Sequence, residues 1–413
     1  MIGDLFGNRA RSRAFPTMPM VSKYTIPTMC LAAMLTATPA SAQDSRAAEL
    51  AAQQAQKNTQ LAPNIESGAE RALEWLEGHI TDPNTFYLTF GGIYPSAGFA
   101  PGLAYRSAFG PARLNVGGAY STRAYKLAQA TLRFPELAGN KFDVETRVHW
   151  TDATQVPFYG IGNESSKDAR VNYGLRQFDA GASATFKPVS WYRIGGGIAM
   201  RHMEDRAGEG SRPSIETFVP APPPQLFSEA RYTQSTAFTA IDWRESPGYT
   251  RRGGLYSVAW NDFKDSEDNF SFQRFDAEIQ QAIPLLKEHW VLAFRGLLRT
   301  TEVKDEQIIP YYLLPTLGGA RLHRGYSDLR FQDRHVMLLS GEYRWIPSRV
   351  IDMALFVDTG KVASERRDLN FDSLKTAYGI GIRIHGPNFT PVRLDVAHGD
   401  EGFRVHLTGG IAF

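Results

Sequence analysis

Apolar and polar positions alternate along most of the chain, and the alternation is cleanest toward its C-terminal end. Within 402–413, Phe403, Val405, Leu407, Ile411 and Phe413 share one face, with Gly409 in register. Arg404, His406, Thr408, Gly410 and Ala412 share the other. Segment 392–398 sets Val392, Leu394 and Val396 against Arg393, Asp395 and Ala397, and 378–385 sets Tyr378, Ile380, Ile382 and Ile384 against Gly379, Gly381, Arg383 and His385. A period of two is the signature of a strand. An apolar face opposite arginine, aspartate and histidine, strand after strand, puts lipid on one side and water on the other.

Sixteen segments read this way: 85–93, 99–108, 112–121, 123–133, 141–150, 171–187, 190–203, 230–243, 252–263, 269–283, 289–301, 333–345, 351–358, 375–386, 391–398 and 402–413. Most approach the ~10 residues that cross a bilayer at a tilt. Arg274, Asp276, Glu278 and Gln280 oppose Phe275, Ala277 and Ile279, a polar-inside pattern. Trp150, Trp191, Tyr192, Trp260, Trp290 and Trp345 fall near segment ends, where interfacial girdles form. Backbone groups in lipid must all be paired, so such an array must close. The expected fold is all-β: a 16-stranded antiparallel transmembrane β-barrel over 85–413, preceded by a short N-terminal helical segment. Junctions near 187–190, 264–268, 284–288, 346–350 and 387–390 are short, whereas 204–229 and 302–332 are long. With both termini periplasmic and an even strand count, the long segments face outward.

Composition narrows the remaining classes. The formal charge is +2, which gives no reason to expect nucleic acid as a partner. The longest apolar run, 29–35, is far short of the about 20 residues a transmembrane helix needs. It belongs to an expected signal peptide, 1–42: Lys23 precedes an apolar stretch and Ala40-Ser41-Ala42 precedes Gln43. Met18 or Met20 would give that peptide a conventional start. The single cysteine, Cys30, falls inside it, so the mature chain would have no thiol chemistry. In 43–84, an Ala- and Gln-rich stretch is broken by Pro63, and Ile65, Ala69, Ala72, Leu73 and Leu76 share a helical face. This periplasmic helical segment reads either as a solvated tail or as a plug or recognition arm.

The long segment 302–332 holds the candidate chemistry. Gly318-Gly319 is followed, after four residues, by Arg324-Gly325-Tyr326. Further on come Gly341-Glu342-Tyr343-Arg344 and Phe356-Val357-Asp358-Thr359-Gly360. In this order and on these elements the chain resembles the outer-membrane assembly factors of the BamA/TamA type, also called bacterial surface antigens, over roughly 85–413. Asp242-Trp243-Arg244 and 158–163 are weaker stretches of the same likeness. Alternation alone places Glu342, Arg344, Phe356 and Asp358 on the lumenal side. The resemblance implies that the loop folds back into the barrel and that Arg324 pairs with Asp358. A guanidinium fork suits that role and can stack on Phe356, while Gly325 lets the backbone approach the wall. The pair would either tether the loop or set the loop conformation needed for substrate assembly, and a wet lumen would weaken it. His323 stands where the family usually has an aliphatic residue, which puts the packing of the loop tip in question.

The resemblance also implies a weak seam between the first and last strands, 85–93 and 402–413, where an opening could template a client strand. Gly91, Gly92, Gly409 and Gly410 would weaken both partners, with Phe413 closing the last strand. Family members carry periplasmic POTRA domains. This chain has no room for one, so the resemblance is to a short member reduced to the barrel. The expected function is to help insert or export outer-membrane polypeptides; the alternative is a passive pore or structural barrel without assembly activity. Expected partners are outer-membrane lipid and lipopolysaccharide, unfolded outer-membrane polypeptide clients and a separate periplasmic partner. His385, His398 and His406 fall on adjacent terminal strands, with His385 and His406 facing inward, and read as ordinary lumenal histidines rather than a metal site; no hydrolase, phosphate-loop or metalloprotease motif occurs. No cofactor, metal or enzymatic activity is expected.

Overall fold

The computed structural model describes residues 85–413 apart from 286–288, 305 and 387. The signal peptide and helical segment expected at 1–42 and 43–84 lie outside the described residues. The alternating segments form strands. They are β1 (Thr85–Phe90), β2 (Pro101–Phe109), β3 (Ala112–Tyr120), β4 (Lys126–Glu136), β5 (Phe142–Phe158) and β6 (Val171–Val189). Next come β7 (Tyr192–Ala207), β8 (Glu229–Asp242), β9 (Gly253–Asp265), β10 (Phe272–Leu285) and β11 (Trp290–Val303). Two short strands, β12 (Thr316–Leu317) and β13 (Phe331–Gln332), precede β14 (His335–Trp345), β15 (Ile351–Ala363), β16 (Lys375–Ile384), β17 (Val392–Gly399) and β18 (Gly402–Thr408).

All but β12 and β13 belong to one 16-stranded sheet in which each strand pairs antiparallel with the next, β11 joining β14 directly. β12 and β13 pair with each other inside the connection 304–334. Contacts across the interior curl this sheet into a barrel. Tyr249, between β8 and β9, stacks on His385 after β16 at 3.8 Å. Asn163, between β5 and β6, donates to the Ser373 carbonyl beyond β15 at 2.9 Å. Outward positions are large and apolar, as in Tyr378, Ile380, Ile382 and Ile384 of β16. Among the described residues no helix is long and apolar enough to cross a membrane.

The connections divide the barrel into a loop end, with 91–100, 159–170, 208–228, 304–334 and 364–374, and a turn end. Trp191, Trp243, Trp290 and Trp345 all sit at the turn end, with Trp290 paired to Trp345 across β11 and β14. The loop end is roofed by an apolar cluster that includes Ile93, Tyr125, Phe158, Tyr173, Ile215 and Tyr311. Tyr311 packs edge-on against Phe158 and Tyr173 and donates its hydroxyl to Asp205 at 2.9 Å.

Three expectations need correction. First, β1 stops at Phe90, because Gly91 and Gly92 adopt left-handed φ of 78° and 82° and turn the chain out of the sheet. Second, β18 stops at Thr408, opposite Arg393. The next positions of its partner run into Pro391, which has no N–H to donate. Gly410 instead donates to the Thr390 carbonyl at 2.8 Å. Phe413 lies with its ring 5.4 Å from the Arg344 guanidinium rather than on the lipid face. Gly91, Gly92, Gly409, Gly410 and Phe413 therefore lie beyond the seam strands. Third, loop length does not sort the two ends cleanly. The short connection 266–271 is at the loop end, while 243–252, at the turn end, folds into the lumen. There Thr390 donates to the Gly248 carbonyl at 3.1 Å and Arg344 to that of Thr250 at 3.0 Å.

Among the described residues no ladder joins β1 to β18. Their outward apolar side chains are well exposed, Leu88 at 68% and Phe403 at 75%.

Candidate functional site

β14, β15 and β16 are neighbours, so their inward positions share one stretch of lumenal wall. Glu342 lies opposite Phe356, Phe356 opposite Gly379, and Asp358 opposite Ala377. The loop tip 318–326 is a compact turn: Gly319 donates to the Tyr326 carbonyl and His323 to that of Gly319, each at 3.0 Å. It docks on this wall by close backbone approach. A β-carbon on Gly325 would sit 2.2 Å from the Ala377 side chain.

Arg324 reaches the wall in the geometry that suits a fork. Its Nε and Nη2 donate to the two oxygens of Asp358 at 2.7 Å each, and its backbone N–H donates to the same carboxylate at 3.1 Å. Nη1 donates to Glu342. The guanidinium carbon lies 3.5 Å from the centre of the Phe356 ring. That ring occupies space left by Gly379, where a β-carbon would come within 2.5 Å of it. The structure thus brings together Arg324, Gly325, Phe356, Asp358 and Glu342, and Arg344 joins through Glu342 at 2.7 Å. Tyr326 packs over Gly399 and donates to Asp400 at 3.2 Å. Gly360 lies one turn of the pleat away, against Leu317 of the loop.

Two features of the site were not foreseen. The lumen here is dry: the side chains of Arg324, Asp358 and Glu342 are 2%, 1% and 0% exposed. The pair is also part of a larger network. Arg383 donates to Glu342 at 2.8 Å and lies 3.5 Å from Asp352, and Arg393 pairs with Asp395 at 2.7 Å. Alternation marked Arg383, Arg393 and Asp395 as inward, but their partners depend on register across strands. Four arginines thus face four carboxylates, so the buried charges balance. Burial opposes the charge of Arg324, yet Asp358 and Glu342 outweigh it and raise its pKa above the ordinary value.

His323 is fully buried, edge-on to Tyr326, with Nε2 at 2.8 Å from the Lys375 carbonyl. A carbonyl only accepts, so Nε2 carries the proton. Burial lowers the pKa, against the opposing pull of the Asp358 carboxylate and the Lys375 carbonyl. The sign of the linkage follows. A depressed folded pKa gives stability that is present above the unfolded value of about 6.5 and is lost as pH falls through the folded value. Lowering the pH from 8 to 5 is therefore expected to speed proteolysis of the 304–334 loop, and His323→Leu should flatten that dependence. A wild-type loop equally resistant at both pH values would overturn this assignment.

The other histidines do not converge. His385 stacks on Tyr249, His406 bonds the Arg324 carbonyl at 2.8 Å, and His398 lies between Tyr378 and Phe403.

Comparison with known proteins completes the picture. A family model described as the Omp85 superfamily domain matches residues 135–413. No curated protein matches the sequence. Among solved structures, the chain is similar to BamA from Haemophilus ducreyi lacking POTRA domains 1–3. The identity is 16% and the TM-score 0.60, over 79% of this chain and 70% of that one. It is also similar to CdiB from Escherichia coli, at 13% identity and a TM-score of 0.50, over 79% of this chain. There it spans 62% of the other chain, less than two thirds of its length. At these identities the likeness concerns the fold.

Proposed function

This chain belongs to the Omp85 superfamily, and we propose that its outer-membrane barrel helps insert or export outer-membrane polypeptides through an opening between β1 and β18. The observation that carries this reading is the missing ladder. Fifteen neighbouring strand pairs are hydrogen-bonded and the pair that would complete the circle is not. Unpaired strand edges in a bilayer are templates for another strand, and an extended client segment supplies one. The loop end then faces outward and the turn end, from which β1 starts, faces the periplasm, where a separate partner would deliver clients. The activity is non-enzymatic: backbone pairing does the work. Lipid and lipopolysaccharide surround the apolar outer face.

The passive-pore alternative has less support. The 304–334 loop docks in the lumen, the apolar cluster roofs the loop end, and 243–252 folds in from the turn end. Reconstitution into liposomes distinguishes the two. A urea-unfolded outer-membrane barrel presented to the full chain is expected to become heat-modifiable and protease-resistant faster than with empty liposomes. Steady ion conductance with no acceleration of client insertion would favour the pore.

A further inference from the structure

The loop that docks on β14–β16 also touches both sides of the seam, and it does so unequally. Toward the last hairpin it has several anchors. Tyr326 donates to Asp400 at 3.2 Å and Arg330 Nε to Glu401 at 2.6 Å. His406 of β18 bonds the Arg324 carbonyl, and Arg393 of β17 donates to the Ala320 carbonyl at 2.7 Å. Toward the first hairpin, Leu329 packs against the apolar cluster that includes Ile93 and Ala97, and the hydrogen bonds among the described residues end on one residue. Asp328 accepts from the backbone N–H of Ser96 at 2.8 Å and from its hydroxyl at 3.3 Å. Ser96 sits at the tip of 91–100 in a left-handed conformation, φ 63°, and its carbonyl is held from the β3–β4 turn by Arg123 at 2.7 Å.

Resting on the seam reading above, we propose that 315–332 is a one-sided clasp: it is fixed to the β14–β18 side and hooks the first hairpin through Asp328 and Ser96. At the loop end this hook stands in for the absent β1–β18 ladder. Opening the seam there releases Ser96 from Asp328, and the loop stays with the last strands. A hydrogen bond to a carboxylate is a bond that can be made and broken without dismantling a sheet.

Hydrogen exchange on the purified full chain in lipid nanodiscs tests this. Asp328→Ala is expected to raise exchange in β1 and β2 by about tenfold or more, with β17 and β18 unchanged. Glu401→Ala should leave both hairpins protected, because Tyr326, His406 and Arg393 still hold the last one. Equal deprotection of both hairpins by Asp328→Ala, or of neither, overturns the clasp. So does selective release of the last hairpin by Glu401→Ala. Should Asp328→Ala fail to fold, judged by heat-modifiable gel mobility, the pair Ser96→Cys and Asp328→Cys in a Cys30→Ser background serves instead. Its disulfide should protect β1 and β2 beyond wild type, reversibly with reductant, and no change would overturn the proposal. The seam reading fails separately. A barrel with this exchange pattern that inserts no client keeps the clasp and loses the assembly function.

Discussion

Arg324→Ala is expected to release the 304–334 loop from the barrel wall and expose it to protease. The substitution leaves Asp358 without its bidentate partner and removes one of three arginines around Glu342. Removing one member of a buried pair costs about 3–5 kcal/mol, because the remaining charge stays out of water. The site is dry, so solvent screening offers little relief. If cleavage follows the open population, the rate should rise on the order of 10²–10⁴-fold. Arg324→Lys should fall between: it keeps the charge but loses the fork and the flat contact with Phe356. Exchanging the two residues, Arg324→Asp with Asp358→Arg, should restore little, since the new carboxylate would face Glu342. A loop in Arg324→Ala as resistant as in wild type would refute the tether. The barrel itself should still shift in unheated gels, because none of its ladders depends on Arg324.

Joining β1 to β18 covalently is expected to reduce client insertion to background while leaving the fold intact. The strands run antiparallel, so Phe90 belongs with Phe403 at the loop end and Phe86 with Leu407 near the turn end. Register across the open seam is not fixed by a ladder, so neighbouring offsets are needed. A disulfide requires Cα atoms within about 7 Å, which makes crosslinking itself a measure of how close the edges come. Cys30 is the only native cysteine and is replaced by serine for this purpose. Reductant should restore insertion. A crosslinked barrel that inserts clients at the wild-type rate would mean that the seam is structural.

Much of this was written in the alternation. Strand after strand, the lipid and lumenal faces follow from side-chain period alone, as in β16, where Arg383 points in and Ile382 out. Spacing and family likeness together pointed to Arg324 and Asp358. What stayed hidden has physical reasons. Alternation runs on to Phe413, but a strand needs a partner, and Pro391 removes it. The inward fold of 243–252 has no period to read, because it is held by backbone carbonyls of Gly248 and Thr250. Arg383 and Glu342 meet only because two strand registers bring positions 41 residues apart together. Ser96 and Asp328 lie 232 residues apart, and nothing local to either names the other.

The unfinished ring of ladders also bears on girth. A wall with every ladder made has a perimeter set by its strand number. To widen, it must first break a row of backbone hydrogen bonds. Here the row is already open, so an added strand lengthens the perimeter by about 4.8 Å without breaking any ladder already present. On the proposed function, each client strand taken up at the seam would therefore enlarge the circumference by one strand.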